Sequence, residues 1–321
     1  MNLFVQIPAF NEEATIADVI CGIPRSIQGI ERVIVLVIDD GSVDRTVECA
    51  QAASADHVVS LGYNRGLAFA FQVGLDACLR LGADIIVNTD GDHQYPGDQI
   101  PALIQPILDR QADIAIGNRQ VDLVRHFSPQ KRLLERLGSW VVRIASDTSV
   151  PDAPSGFRAY SREAALRLFV TSDFSYTLDN LFQAGKRGLK IANVPIVTNP
   201  TRPSRLHRGS WHFVKRQGAT IVRAYATYEP LKTFFYLSLP FLGVAAILFL
   251  RLIVIFWSEG FALAGHVQSL IVAVMSLIVG FLVLIVGLLA DRISDSRRLL
   301  EEILYRLRAQ DGQGQPRDRL H

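Results

Sequence analysis

Apolar positions in the first part of the chain come in short runs separated by polar loops, and strand-like runs alternate with helix-like ones. Leu3-Phe-Val-Gln-Ile7 is a short apolar run ended by Pro8, which suits a buried strand. Residues Asn11 to Ile23 follow as a helix with Glu12 and Glu13 in its first turn, where acidic side chains favour the helix dipole. Arg32 to Ile38 is β-branched and almost continuously apolar, as expected of a strand covered on both faces. It runs into the loop Asp39-Asp40-Gly41-Ser42, and a helix begins near Thr46 with Asp44 as its cap. His57 to Ser60 reads as a short strand, Leu67 to Leu81 as a helix, and Asp84 to Thr89 as the next strand. A further helix begins near Asp98-Gln-Ile-Pro101, and the strand Ile114 to Gly117 follows. This alternation predicts an α/β fold with a mostly parallel, doubly wound sheet.

From Thr233 the pattern changes. Thr233 to Leu250 carries no charge; Arg251 interrupts, and Leu252 to Trp257 is apolar again. Val267 to Ala290 has no charged residue at all. Each run can cross a hydrocarbon core ~30 Å thick at ~1.5 Å per residue, so two transmembrane helices are predicted over 233–290 with a short outer loop. Arg251 is expected to snorkel to the outer interface or to pair at a subunit contact. The connection Ser258 to His266 has no Lys or Arg. Arg202, Arg205, Arg208, Lys215, Arg216, Arg223 and Lys232 precede the first run, and Arg292, Arg297 and Arg298 follow the second. The positive-inside rule then places both termini and the soluble domain in the cytosol. Residues 211–232, which mix Lys215, Arg216 and Arg223 with Phe213, Val214, Ile221 and Val222, read as an amphipathic juxtamembrane helix. Residues 291–321 read as a charged cytosolic helix and tail. Gly243, Gly280 and Gly287 permit close helix contacts and admit a homo-oligomer.

Composition narrows this picture only slightly. The 33 Lys and Arg against 31 Asp and Glu leave a net charge of +2, so no global field points to nucleic acid. Cys21, Cys49 and Cys78 form no CxxC or Cys/His pattern, and reduced thiols are the simpler reading. The segment Met1 to Ala9 lacks the pattern of a signal peptide.

In doubly wound sheets, ligands bind beyond the carboxyl ends of the strands. The unusual polar segments fall at those ends: Pro8 to Glu12, Asp39 to Ser42, Asp90 to Gln94, and Asn118-Arg119. Asp90 and Asp92 flank Gly91 directly after an apolar strand. Such a pair can share one hard cation, with Gln94 as a neutral oxygen donor. Mg2+ or Mn2+ is the natural choice, because a nucleoside diphosphate offers further ligands. His93 is expected to be a bystander.

Five segments carry a resemblance: Ile7-Pro-Ala-Phe-Asn-Glu-Glu13; Val37-Ile-Asp-Asp-Gly-Ser42 with Asp44 and Thr46; Asn64-Arg-Gly66; Asp90-Gly-Asp-His-Gln94; and Ser155-Gly-Phe-Arg158. Together, and in order, they resemble the family of dolichol-phosphate mannose synthases and bacterial polyprenyl-phosphate glycosyltransferases. The resemblance implies an inverting enzyme with a Rossmann-like GT-A domain over 1–210, anchored as an integral membrane protein (in the inner membrane, for a bacterium). By its positions, Pro8, Phe10, Glu12, Ile38 and Asp40 hold the nucleotide, and Asp90, Gly91, Asp92 and Gln94 lie at the diphosphate and metal. Arg119 lies near the phosphates, Arg158 on the acceptor side, and Arg205 closes over a phosphate. The implied partners are a nucleoside-diphosphate sugar and a polyprenyl phosphate. The family commonly has a lysine where Trp211 stands, which leaves Arg208 or Lys215 as substitutes. Two other readings stay open: transfer to a lipid or polysaccharide hydroxyl, and a non-catalytic nucleotide-binding scaffold. A processive polysaccharide synthase is disfavoured, since neither a Gln-x-x-Arg-Trp motif nor further spans are present.

Overall fold

The computed structural model describes residues 1–119, 143, 146, 148–170, 176–199, 230–259 and 266–314. They form two compact units, one of residues 1–221 together with 301–321, the other of residues 222–300.

The first unit is built on seven strands: β1 (Asn2–Ala9), β2 (Arg32–Asp39), β3 (His57–Ser60), β4 (Ile85–Asn88), β5 (Ile114–Asn118), β6 (Arg158–Ser161) and β7 (Ile191–Pro195). Among the described residues, the helices α1 (Ile16–Cys21), α2 (Thr46–Ala52), α3 (Leu67–Arg80), α4 (Ile100–Leu108), α5 (Arg162–Arg167) and α6 (Tyr176–Lys186) accompany them. The sheet order is β3-β2-β1-β4-β6-β5-β7. Its strands are parallel except β6, which runs antiparallel to both β4 and β5. Alternate residues feed two cores, one on each face. Val33, Val35 and Val37 of β2 join Leu3, Val5 and Ile7 of β1 on one side. Leu36, Ile38 and Phe4 meet α3 on the other. A strand covered on both faces has to be apolar along its covered length, and the run at 33–38 is, whereas Arg32 at its start is exposed.

Two local expectations change. Pro8 does not end β1, because Pro8 and Ala9 stay paired with Ile38 and Asp39. The Gln6 carbonyl accepts from Thr89 and the Ala9 carbonyl from Asp40. Pro8, in phase with Gln6, therefore turns its missing N–H toward the β4 side, where strand pairing has already stopped at Gln6. The first helix is shorter than residues 11–23. Asn11 sits at φ +55°, outside helical geometry, and the Glu12 carbonyl takes the Thr15 and Ile16 N–H groups in a turn. Helix α1 starts only at Ile16, and Glu12 and Glu13 belong to the loop.

The second unit holds α7 (Pro230–Glu259) and the greater part of α8 (Val267–Gly314). Residues 230–232, expected at the end of the juxtamembrane helix, belong to α7, and residues 211–229 lie outside the described ones. Both helices, over Pro230–Ser258 and Val267–Ser294, are long and apolar enough to cross a membrane. Only 11% and 17% of these windows is buried, unlike the core helix of a soluble protein. They pack antiparallel. A methyl group on Gly280 would come 2.7 Å from Leu242, and one on Gly287 2.7 Å from Phe234, whereas Gly243 meets nothing. Two of the three glycines thus serve contact within the chain. Arg251 is exposed.

The last turns of α8 group with the soluble unit. Arg308 pairs with Asp76 of α3 at 2.7 Å and donates to the Leu168 carbonyl at 2.7 Å. Tyr305 donates to the Glu163 carboxylate at 3.3 Å, and its ring packs on the core under α3. The charged helix expected from residue 291 is therefore the continuation of α8, which persists to Gly314 into the expected tail.

Candidate active site

Antiparallel β6 determines what meets at the carboxyl ends of the parallel strands. Its first residue, Arg158, is in register with Asn88 at the end of β4 and with Ile116 of β5. The Ser155-Gly-Phe-Arg158 segment is thereby delivered to the same edge as Pro8–Glu12, Asp39–Ser42 and Asp90–Gln94.

Hydrogen bonds knit these loops together. Asn11 N–H donates to Ser42 Oγ at 2.9 Å, and Glu12 N–H to Thr46 Oγ1 at 2.8 Å. Asp39 accepts from Ser42 N–H and Ser60 Oγ. The two oxygens of Asp40 accept the Arg65 and Gly66 N–H groups at 2.7 and 2.9 Å, so this carboxylate clamps the Asn64-Arg-Gly66 loop. Gly41, at φ +74°, lies so close to the Tyr63 backbone that a Cβ would approach it to 2.4 Å, and only glycine fits. Phe10 is 41% exposed at the rim. Ile38, expected beside the nucleotide, buries its side chain in the core against α3 instead, leaving only its backbone for a ligand.

Asp90, Asp92 and Gln94 follow β4. Thr15 Oγ1 donates to the Gly91 carbonyl at 2.7 Å, and a methyl on Gly91 would sit 3.3 Å from Glu12 Cγ. The β1 loop and the acidic loop are in contact there. Asp92 Oδ1 accepts the Gln94 N–H at 3.1 Å, and His93 takes φ +60°. The protein packed around Asp90 pushes its carboxyl up to about 7; Asp92 and then Glu12 add to the rise, which Arg119 and Arg158 oppose. A cluster of carboxylates strained in this way is what a hard divalent cation relieves, and the donor set of carboxylate and amide oxygens suits Mg2+ or Mn2+. Among the described residues no three His, Cys, Asp or Glu side chains converge tightly enough to enclose an ion alone. Remaining ligands would have to come from a substrate and water, as is usual where the ion also binds phosphates.

The arginines divide. Arg119 forms a two-pronged ion pair with Asp152, a residue without any local signal in the sequence. Arg158, expected on the acceptor side, is wholly buried. Its guanidinium donates to the Ser155, Thr177 and Ala153 carbonyls at 2.8, 2.8 and 2.7 Å. Its charge bears on the site by opposing the rise at Asp90. Arg205, Arg208, Trp211 and Lys215 lie outside the described residues. Asn199, which precedes them, donates from its backbone to the Gln94 carbonyl and from its side chain to the His93 carbonyl, both at 3.0 Å.

Sequence reasoning also missed a buried polar group beneath the acidic loop. Gln6 Nε2 donates to Asn88 Oδ1, and Asn88 Nδ2 donates to the Gly156 carbonyl and to Tyr176 Oη. Gly156 N–H in turn donates to Tyr95 Oη at 3.3 Å. Polar residues at 6 and 88, each inside an otherwise apolar strand, were the available signs.

Residues 4–169 match the family model of Glycosyl transferase family 2. Among curated proteins, the chain is 29% identical over 203 residues to the polyprenol monophosphomannose synthase of Mycolicibacterium smegmatis, covering 60% of this chain and 75% of the relative. It is 28% identical over 206 residues to the undecaprenyl-phosphate mannosyltransferase of Micrococcus luteus, covering 61% and 83%. Among solved structures, glucosyl-3-phosphoglycerate synthase from Mycobacterium tuberculosis, crystallised with Mn2+, uridine diphosphate and glucosyl-3-phosphoglycerate, superposes with a TM-score of 0.53 at 24% identity. The match covers 71% of this chain and 79% of that one, and it establishes a shared GT-A-like fold.

Proposed function

Because this chain belongs to glycosyl transferase family 2, and is accordingly a glycosyltransferase, we propose that it transfers a sugar from a nucleoside diphosphate to the phosphate of a polyprenyl lipid. Transfer takes place with inversion, at the cytosolic face of the membrane. The observation that carries this reading is the gathering of Glu12, Asp90, Asp92 and Arg119 at one sheet edge, in a chain that also has two helices apolar enough to span a bilayer. The relatives named for polyprenyl-phosphate substrates support the acceptor class.

The loops from β1 and β2 provide the nucleotide side, with Phe10 exposed to pack on a base and the Pro8–Glu12 and Asp39–Ser42 backbones locked together around it. Asp90, Asp92 and Gln94 would hold the divalent cation, which neutralises charge on the diphosphate. Arg119 adds a fixed positive charge on the same side, held in orientation by Asp152. A phosphate monoester is already anionic near neutral pH, so the acceptor has to be positioned in line with the leaving diphosphate rather than deprotonated. Asp152 would be the obvious extra carboxylate for a hydroxyl acceptor, but Arg119 holds both of its oxygens. Arg205 is six residues beyond Asn199, which is anchored on His93 and Gln94.

The test is direct. Full-length protein in detergent, given polyprenyl phosphate, Mn2+ and a panel of sugar nucleotides, should release a nucleoside diphosphate and form a lipid-linked sugar with inverted anomeric configuration. Absence of release with every donor would remove the proposal. Sugar transfer to a hydroxyl lipid in preference to the phosphate would replace it with the alternative acceptor.

A further inference from the structure

Beneath the acidic loop, polar groups are buried where an apolar core would pack at lower cost. Asn88 is fully buried, Gln6 is fully buried, and Tyr176 is 2% exposed. Buried polar groups are costly unless hydrogen-bonded, and Gln6 Oε1 has no partner among the described residues, so this group fixes geometry more than it adds stability. What this one fixes is the Gly156 peptide. The Gly156 carbonyl accepts from Asn88 at 2.9 Å on one side, and its N–H donates to Tyr95 Oη at 3.3 Å on the other. Both tyrosine rings are themselves held by stacking, Tyr176 on Phe71 at 4.2 Å and Tyr95 on Phe157 at 5.2 Å between centroids.

The Gly156 peptide lies against the carboxylate of Asp90. A Cβ added there would come 2.9 Å from Asp90 Oδ2, 3.0 Å from Asp90 Oδ1 and 2.9 Å from Tyr176 Oη. The carboxylate and the phenol therefore both border that point, although no hydrogen bond joins them in this structure. Tyr176 Oη already accepts from Asn88 Nδ2 at 3.0 Å, so its own proton is directed away from that donor. From this geometry we infer that Tyr176, set by Asn88 and Gly156, is a positioning residue that orients the Asp90 carboxylate for the metal–diphosphate. The inference rests on the proposed function, since it presupposes that Asp90 binds a cation there. Groups that orient a metal-ligating carboxylate are worth about 10–100-fold in metal affinity.

The test is Tyr176→Phe in the full-length protein, which keeps the ring stacked on Phe71 and removes only the hydroxyl. Free Mn2+ is followed by electron paramagnetic resonance in the presence of UDP, and separately of GDP. The expected result is Mn2+ binding weaker by about 10-fold or more, with kcat at saturating Mn2+ within about threefold of wild type; the melting temperature should fall by only a few degrees, since Asn88 Nδ2 loses one of its two acceptors. Gly156→Ala, which presses on the carboxylate from the other side, should weaken Mn2+ in the same way. Tyr160→Phe is the control: that buried hydroxyl accepts from Asn180 at 3.1 Å, and its loss should leave Mn2+ binding unchanged. Wild-type Mn2+ affinity in Tyr176→Phe, or a fall in kcat with affinity intact, overturns the inference and leaves the proposed function standing. Failure of the wild type itself to bind Mn2+ with either nucleotide removes both.

Discussion

The guanidinium of Arg119 and the carboxylate of Asp152 meet edge to edge, Nε donating to Oδ2 at 2.8 Å and Nη2 to Oδ1 at 2.7 Å. The Arg119 backbone N–H adds a third bond to Oδ2 at 2.9 Å. The two side chains are 9% and 1% exposed, so water screens the pair little. Asp152→Ala strands a buried cation and should destabilise the soluble unit by about 3–5 kcal/mol. Chemical denaturation of the variant and of Arg119→Ala/Asp152→Ala checks this. The double variant should recover part of the loss, and Arg119→Lys, which cannot present two parallel donors, should not substitute for the wild type.

Asp92 differs in that its carboxylate makes one internal bond, to the Gln94 N–H, which an asparagine oxygen can also accept. Asp92→Asn should therefore keep the melting temperature while turnover falls by about 10²–10³-fold. The stabilisation of wild-type protein by Mn2+ plus nucleoside diphosphate should disappear in a thermal-shift titration. A scaffold that merely binds nucleotide would keep its cellular role in this variant.

Arg158 predicts the opposite phenotype. Replacing it by Met takes a donor from three buried carbonyls, at about 1–3 kcal/mol where no other donor remains, a large share of the stability of an ordinary domain. Yield and melting temperature should collapse together. An Arg158→Lys protein that folds with wild-type stability yet lacks turnover would show that the guanidinium acts on substrate after all.

At the end of α8, Arg308 ties to Asp76 and to the Leu168 carbonyl. Asp76 is one-third exposed, so Arg308→Ala should cost only about 1–2 kcal/mol. Burial draws the Arg308 pKa down and Asp76 holds it up, so Asp76→Asn should weaken the same contact. Limited proteolysis near residues 168–170 should accelerate in both variants, and restoring Arg308 should slow it again.

The first five strands and the loops after them were legible because each is a local event: an apolar run, then a polar or glycine-bearing turn. What could not be read depends on partners far along the chain. Strand β6 is four residues, Arg-Ala-Tyr-Ser, with no apolar run of its own; its identity comes from lying between β4 and β5. The resemblance put Arg158 on the acceptor side, and the carbonyls that hold it buried belong to residues 153, 155 and 177, which no local pattern links to it. Asp152 and Tyr176 gain their meaning from Arg119 and Asn88, 33 and 88 residues away. Pro8 misled by its usual role, because whether its missing N–H matters depends on where β4 stops pairing.

The antiparallel seam has a consequence for biosynthesis. Strand β4 leaves the ribosome with β1 already available as a partner, but its other edge has nothing to pair with until residues 158–161 emerge. At ~5–20 residues per second, that interval lasts several seconds. Through it, the nascent chain presents the open edge of an Ile-Ile-Val strand, the kind of surface that recruits other strands. Strand β5, made in the meantime, cannot close the gap, since it joins the sheet only through β6 and β7. The Asp90 loop is thus among the last parts of the domain to find its final surroundings, and a chaperone that shields β4 during synthesis would protect the catalytic edge along with the fold.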